Sequence, residues 1–295
     1  MPPAILDPQI ELMRWLAEHR GHYANGFFLA ISGIGSTLGY TVLLAVIWWA
    51  SSWKIGAKLF IALALSIYVN ALVKDAVAQP RPFLYTDFES VTRPDEFSLP
   101  SGHAQHAALV WSLMAFYFRK RWLTALAAVM VFLIGFSRVQ LGVHFPTDVA
   151  AGWILGGFLA LLYLRWSPKL MDWADGLALR AQVALGLGAP AALTLVHGSR
   201  YTAMAMGGLA GVLGGLAVAR KQHLYQQRED PPRKRYRLVV GLLGLPILYL
   251  GLIALSPEED SRIYYLYLWM RFAAIGLWVS FLVPRIVSFF RKKPS

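Results

Sequence analysis

Ser137-Arg138-Val139-Gln140-Leu141-Gly142-Val143-His144-Phe145-Pro146-Thr147-Asp148 closes one long apolar run, Trp122–Leu141, and leads into another, Val149–Trp166. A bilayer crossing needs about 20 apolar residues, so both runs read as transmembrane helices joined by a polar turn at one membrane face. On the same criterion seven more runs read as spans: Phe27–Ala50, Leu59–Val77, Ala104–Phe118, Ala181–His197, Tyr201–Ala219, Leu238–Leu255 and Ile263–Val283. The expected fold is all-α, a polytopic transmembrane helical bundle. Composition agrees: of 295 residues, 57% are hydrophobic and 15% charged, whereas soluble domains carry about a quarter charged residues. Cysteine is absent, which excludes a disulfide framework and thiolate metal ligation. Met1–Arg20 contains Asp7, Glu11 and Glu18 and lacks a basic start followed by an apolar core, so no cleavable signal is expected there.

A net charge of +12 raises the question of nucleic acid, and the placement of the charge answers it. With nine spans and the amino terminus outside, 18 of the 28 Lys and Arg residues fall in inner loops and the tail, and 6 fall in outer loops. Lys74, Arg138, Arg165 and Arg271 lie within spans, Arg138 near an outer end and Arg165 near an inner one. This is the positive-inside pattern of a multi-pass membrane protein, so the bilayer is the expected partner and nucleic acid is not. It places the 137–148 turn on the outer face; the expected membrane is a bacterial inner or plasma membrane with that face periplasmic, and an endomembrane is the alternative. Ile5–Ala17 has helical apolar spacing and reads as an interfacial helix with Trp15 at headgroup level. Gly207, Gly211 and Gly215 have the spacing that brings a helix backbone close to a neighbour. Arg220–Arg237 reads as a basic inner linker with affinity for anionic lipid. Arg271, about 12 Å into the last span, reads as facing the protein interior or a wet cavity; an acidic group or a bound lipid headgroup could pair with it, and the sequence does not choose between them.

Two more polar clusters flank spans on the same face. Lys74-Asp75-Ala76-Val77-Ala78-Gln79-Pro80-Arg81-Pro82 ends the second span, and Pro100-Ser101-Gly102-His103 opens the third. Lys74 is costly within a bilayer unless it is paired or snorkels to the interface. Arg81, fixed between two prolines, suits bidentate contact with phosphate. Ser101 can be a simple N-cap, or it can help a helix N-terminus hold an anion, with Gly102 admitting an oxygen closely and His103 placed to donate a proton. His144 with Asp148 four residues on can be a carboxylate-held nucleophile, or an interfacial histidine beside a helix-start acid. His106 reads as an interior helix position, and His197 and His223 read as interfacial.

The three clusters, K-x6-R-P, P-S-G-H and S-R-x5-H-x3-D in that order, resemble the signature motifs of the type 2 phosphatidic acid phosphatase superfamily. The resemblance covers Lys74–Asp148, about a quarter of the chain. It implies that Lys74, Arg81 and Arg138 hold phosphate oxygens and that Ser101 and Gly102 complete the cradle. It further implies that His144 attacks phosphorus, Asp148 orients it and His103 protonates the leaving alkoxide, with no metal or cofactor. A six-span helical core is implied as well, to which this chain adds about three C-terminal spans. The expected division is 1–26 as interfacial helix, 27–180 as phosphatase core and 181–295 as transmembrane extension. The expected function is hydrolysis of a phosphate monoester or terminal phosphate of a membrane lipid through a phosphohistidine. Hydrolysis of a soluble phosphate ester, lipid phosphotransfer, and non-catalytic lipid binding or transport are the alternatives; two histidines in the motifs weigh against the last. Neither the particular lipid nor the oligomeric state is legible.

Overall fold

Helices begin and end where the local chemistry directs. The computed structural model describes residues 3–85, 90–225 and 231–290. Among them are twelve α-helices and no strand: α1 (Pro3–His19), α2 (His22–Ile34), α3 (Thr37–Val46), α4 (Trp53–Val77), α5 (Gly102–Phe118), α6 (Arg121–Gln140), α7 (Pro146–Asp175), α8 (Leu179–Val196), α9 (Arg200–Lys221), α10 (Pro231–Ala254), α11 (Tyr264–Leu277) and α12 (Val283–Phe289). One π-helical turn follows α3 and another joins α11 to α12. All nine apolar runs are largely helical. Among the described residues, seven helical segments are long and apolar enough to cross a bilayer, and α2 with α3 makes an eighth if that bent pair is one span. The ninth run, α5, has 17 residues, roughly 25 Å at the helical rise, which is short for a crossing. Arg228, Arg291, Lys292 and Lys293, counted above among the inner cations, lie outside the described residues.

The chain divides into two units, residues 1–42 with 69–165, and residues 43–68 with 166–295. In the first, the α2–α3 pair bends by 54° at Gly35-Ser36. Ser36 Oγ donates to Gly33 O at 2.7 Å and accepts from Gly39 N at 3.1 Å, so the serine ends one helix and caps the next. Helix α4 stops because Pro80 disfavours helical backbone at Gln79. Ala78 turns into the left-handed region at φ 50°, its N–H still bonded to Lys74 O at 2.8 Å. Helix α7 closes on α5 through Gly152 and Gly156. A methyl group at Gly152 would lie 2.6 Å from Ser101 O, and one at Gly156 would strike Gln105 O. The turn that opens α5 is thereby fixed to the helix that carries Asp148.

Helix α1 packs on this unit. Its Met13 is buried with Ala104, Val139, Phe145 and Val149, and Leu6, Ile10 and Leu16 flank that cluster. Burying each such side chain contributes roughly 1.5–3 kcal/mol. Gln9 Oε1 accepts from both N (3.0 Å) and Oγ1 (2.9 Å) of Thr147, while Trp15 on the opposite face is 55% exposed. The segment read as interfacial is therefore docked along its apolar face.

In the second unit, α9 and α11 approach to backbone contact. Methyl groups at Gly207 and Gly211 would strike the carbonyls of Trp269 and Ala273, and one at Gly215 would strike Ser280 Oγ. The small-residue spacing does what the sequence suggested. Trp48 and Trp49 fill the core with Ala57, Val212, Val279 and Val283. Trp48 Nε1 donates to Tyr225 Oη at 2.7 Å, and that hydroxyl donates to Ser280 O at 2.7 Å. Arg271 finds aromatic partners: its guanidinium lies 4.9 Å from the ring centre of Tyr249 and 5.4 Å from that of Phe272.

Candidate active site

Every residue assigned a role from the motifs lies in the first unit, and four local structures bring them together. The C-terminal end of α4 presents Lys74. The loop after it presents Arg81, which is 2% exposed. Ser101, Gly102 and His103 form the start of α5. The α6–α7 connection supplies Arg138, His144 and Asp148. Gly142 makes that connection at φ 77°, a conformation glycine adopts without strain. The turn it allows lets Val143 N and His144 N both bond to Arg138 O, at 3.1 and 3.3 Å, and so returns the histidine toward the arginine.

His144 is 2% exposed and Asp148 fully buried. Arg81 Nη1 lies 3.2 Å from His144 Nε2 and also donates to Val143 O at 2.9 Å. A guanidinium only donates, so Nε2 is the acceptor and carries the lone pair, and the ring proton sits on Nδ1. Nδ1 faces Ser98 Oγ at 3.3 Å and Asp148 Oδ2 at 3.4 Å. Ser98 Oγ in turn donates to Asp148 Oδ2 at 2.5 Å. The carboxylate is held further by Phe145 N to Oδ2 (2.8 Å) and by Gln79 Nε2 to Oδ1 (3.0 Å). Asp148 reaches the imidazole partly through a serine hydroxyl. Burial, followed by the nearby positive charge of Arg81 and Lys74, holds the His144 pKa well below the ordinary imidazole value of 6.5. The ring is neutral at physiological pH, the form a nucleophile requires.

Of the cations near this lone pair, Arg138 has a donor to spare. Arg138 Nη1 donates to Ser32 Oγ, while its Nε is buried with no hydrogen-bond partner among the described residues. Ser101 is fully buried at the N-cap of α5, yet its side chain makes no capping bond and its Oγ likewise has no partner among them. The N-cap reading of that hydroxyl therefore does not hold for its side chain. Both groups suit an oxyanion, since buried polar atoms are otherwise satisfied. A methyl group at Gly102 would come within 3.0 Å of Asn70 Oδ1. Asn70 Nδ2 donates to Gln105 Oε1 at 2.8 Å and to Pro100 O at 3.3 Å, tying the Ser-Gly-His turn to α4. His103 lies within electrostatic reach of Arg138, Lys74, Arg81 and His144, and His106 sits beside Gly102. Among the described residues no three His, Cys, Asp or Glu side chains cluster so as to hold a metal ion.

Sequence reasoning missed Ser32, Asn70, Gln79, Glu96 and Ser98. Asn70 and Gln79 gave a signal: polar side chains in or at the end of an apolar span need a partner. Ser98 and Glu96 lie in an irregular loop without periodicity to mark them.

The profile of the PAP2 superfamily matches residues 55–172, and that of the PAP2 superfamily phosphatase transmembrane extension matches residues 203–294. The chain belongs to the PAP2 superfamily. It is 29% identical over 161 residues to undecaprenyl-diphosphatase of Sulfolobus acidocaldarius, covering 53% of this chain and 77% of that protein. Phosphatidylglycerophosphatase B of Bacillus subtilis is 28% identical over 165 residues, 51% of this chain and 79% of the relative. The crystal structure of a transmembrane PAP2-type phosphatidylglycerolphosphate phosphatase from Bacillus subtilis superposes with a TM-score of 0.50 and 26% identity, over 57% of this chain and 88% of the other. These relatives are phosphatases by name, the crystallised one a transmembrane protein, and this chain is a multi-pass membrane member of the same superfamily, with the extension as a matched part of it.

Proposed function

We propose that this PAP2 protein hydrolyses a phosphate monoester or terminal phosphate of a membrane lipid through a phosphohistidine at His144 Nε2. The observation that carries the reading is the Arg81–His144 contact. It directs the lone pair of a neutral imidazole at the same guanidinium that would hold the substrate's phosphoryl oxygens.

Lys74, Arg81 and Arg138, with Ser101 and the start of α5, hold the phosphoryl oxygens, on which negative charge is stabilised in the transition state. Nε2 bonds to phosphorus as the phosphorus–ester oxygen bond breaks. His103 gives a proton to the departing alkoxide. The Nδ1 proton stays on the ring, and Asp148, with Ser98 between, stabilises the imidazolium character that develops. Water then attacks phosphorus, His103 takes its proton, and the phosphorus–nitrogen bond breaks to release orthophosphate and restore neutral His144. No step draws on a metal ion or cofactor.

The test is phosphate release by the detergent-solubilised chain from phosphatidate, phosphatidylglycerophosphate, a polyprenyl diphosphate, a sphingoid phosphate and a hexose phosphate. Turnover of lipid substrates in the presence of chelator, abolished in His144→Ala, is expected. Turnover of the hexose phosphate alone, or activity retained in His144→Ala, refutes the reading. We also place the site on the outer, periplasmic face. A tag between Pro257 and Ser261 is then labelled by an impermeant reagent from outside, and one between Gln226 and Asp230 is not.

A further inference from the structure

Glu96 has no part in the scheme above, yet its carboxylate lies on the cations. Oε2 is 3.0 Å from Lys74 Nζ and Oε1 is 3.4 Å from Arg81 Nη2. The same guanidinium touches His144 Nε2 through its other nitrogen, at 3.2 Å. An anion delivered along Arg81 to the nucleophile therefore meets a carboxylate already in place. We propose that Glu96 is a built-in competitor for the phosphate position. Its carboxylate weakens every anion alike, so phosphate dianions, which bind the cradle strongly, still enter, while the singly charged phosphodiesters of bulk phospholipid, which bind it weakly, fall below the affinity needed to occupy it. The proposal rests on the phosphatase reading for its biological sense, but not for its test.

The backbone allows the carboxylate to leave alone. Arg81 Nε donates to Glu96 O at 2.7 Å, Lys74 Nζ donates to Phe97 O, and Ser98 N donates to Gln79 O at 2.8 Å. These bonds fix the peptide units of 96–98 against the cradle. The Glu96 side chain is itself 29% exposed, so rotation about its own bonds carries the carboxylate toward solvent while both cations keep carbonyl partners.

Charge decides which ligand displaces it. Carboxylate and phosphodiester each bring one negative charge, so exchange gains little Coulomb energy for the incoming group. A terminal phosphate brings two, with three oxygens free to engage Lys74, Arg81 and the Nε of Arg138 together. Once hydrolysis leaves orthophosphate behind, Glu96 competes again for the same nitrogens and speeds product release. A cradle filled by its own carboxylate about nine-tenths of the time binds anions about tenfold more weakly than an open one.

Orthophosphate binding to the full-length, solubilised protein, measured by calorimetry without turnover, is the direct test. Glu96→Gln and Glu96→Ala are each expected to bind orthophosphate about tenfold more tightly than the parent. In mixed micelles, inhibition of phosphomonoester hydrolysis by phosphatidylglycerol is expected at a correspondingly lower mole fraction. Equal or weaker orthophosphate binding in both variants overturns the proposal and leaves Glu96 as an ion pair that merely holds Lys74. Should neither neutral variant be monodisperse, Glu96→Asp, which keeps the charge but shortens its reach, is expected to bind orthophosphate severalfold more tightly; parent-like affinity overturns the proposal. If the parent binds orthophosphate but turns over none of the lipids, the phosphatase reading fails while the competition for the cradle stands.

Discussion

Ser98→Ala removes one oxygen that both partners of the proposed nucleophilic pair, His144 and Asp148, depend on. Asp148 Oδ2 loses its 2.5 Å donor, and the Nδ1–H of His144 loses an acceptor at 3.3 Å. The carboxylate keeps Phe145 N and Gln79 Nε2, so the fold should survive with a small change in melting temperature. A hydrogen bond to a charged group contributes about 1.5–3 kcal/mol. At 1.36 kcal/mol per tenfold change in rate, the expected loss in kcat is about 10–150-fold. KM should move little, because Ser98 is not one of the groups proposed to hold the phosphate. The assay is initial-rate phosphate release from whichever lipid the panel identifies, with thermal unfolding measured on the same preparations. A double-mutant cycle with Asp148→Asn sharpens it: if the serine acts through the carboxylate, adding Ser98→Ala to Asp148→Asn should cost almost nothing more. A loss below about threefold, or full additivity in the cycle, would show that Asp148 orients His144 without the hydroxyl.

Other outcomes follow from the same geometry. His103→Ala should lower activity on a lipid phosphate by about 10²–10⁴-fold and recover in part with a nitrophenyl phosphate, whose leaving group needs no proton. Arg138→Lys and His144→Ala should not recover, and equal rescue of all three would reject the division of labour between acid, cradle and nucleophile. Because the free-enzyme His144 pKa lies well below 6.5, its neutral form persists as pH falls through 6.5, and activity is lost only at the lower value. The acid limb of kcat/KM assigned to His144 should therefore lie below 6.5, and a limb centred at or above 6.5 would contradict the buried, cation-flanked ring. Gly211→Leu should force α9 from α11 and lower the melting temperature by several degrees, whereas Gly188→Leu, at a glycine with open space around it, should not.

What could be read in advance divides along a physical line. Lys74, Arg81, Arg138, His144 and Asp148 stood out because ionisable groups against apolar runs carry a desolvation cost that only partners or function offset. Gly207, Gly211 and Gly215 were legible because helical periodicity fixes which residues share a face. Glu96 and Ser98 were not, since an irregular loop has no period and their partners lie across the fold. Arg271 was recognised as needing a partner, but a ring face is a cation partner that a search for acidic residues passes over. The break at Gly35-Ser36 was readable in principle, since a glycine–serine pair within an apolar run is a common origin of a kink. Ser101 could be read either way in sequence, as a cap or as part of an anion cradle, and it occupies the N-cap position while leaving its hydroxyl unspent.

The docking of α1 has a consequence for how the protein is made. Gln9 finds Thr147, 138 residues further along the chain, and Met13 finds Phe145 and Val149. At a synthesis rate of about 5–20 residues per second, roughly seven to thirty seconds separate the emergence of the helix from that of its partners. If the chain is inserted as it is translated, the face bearing Leu6, Ile10 and Met13 spends that interval without its protein neighbours, and the lipid surface is the apolar shelter at hand. The His144 turn is thus completed late, by a helix that has been waiting on the bilayer, and a nascent chain arrested before residue 149 should have no organised catalytic centre whatever lipid surrounds it.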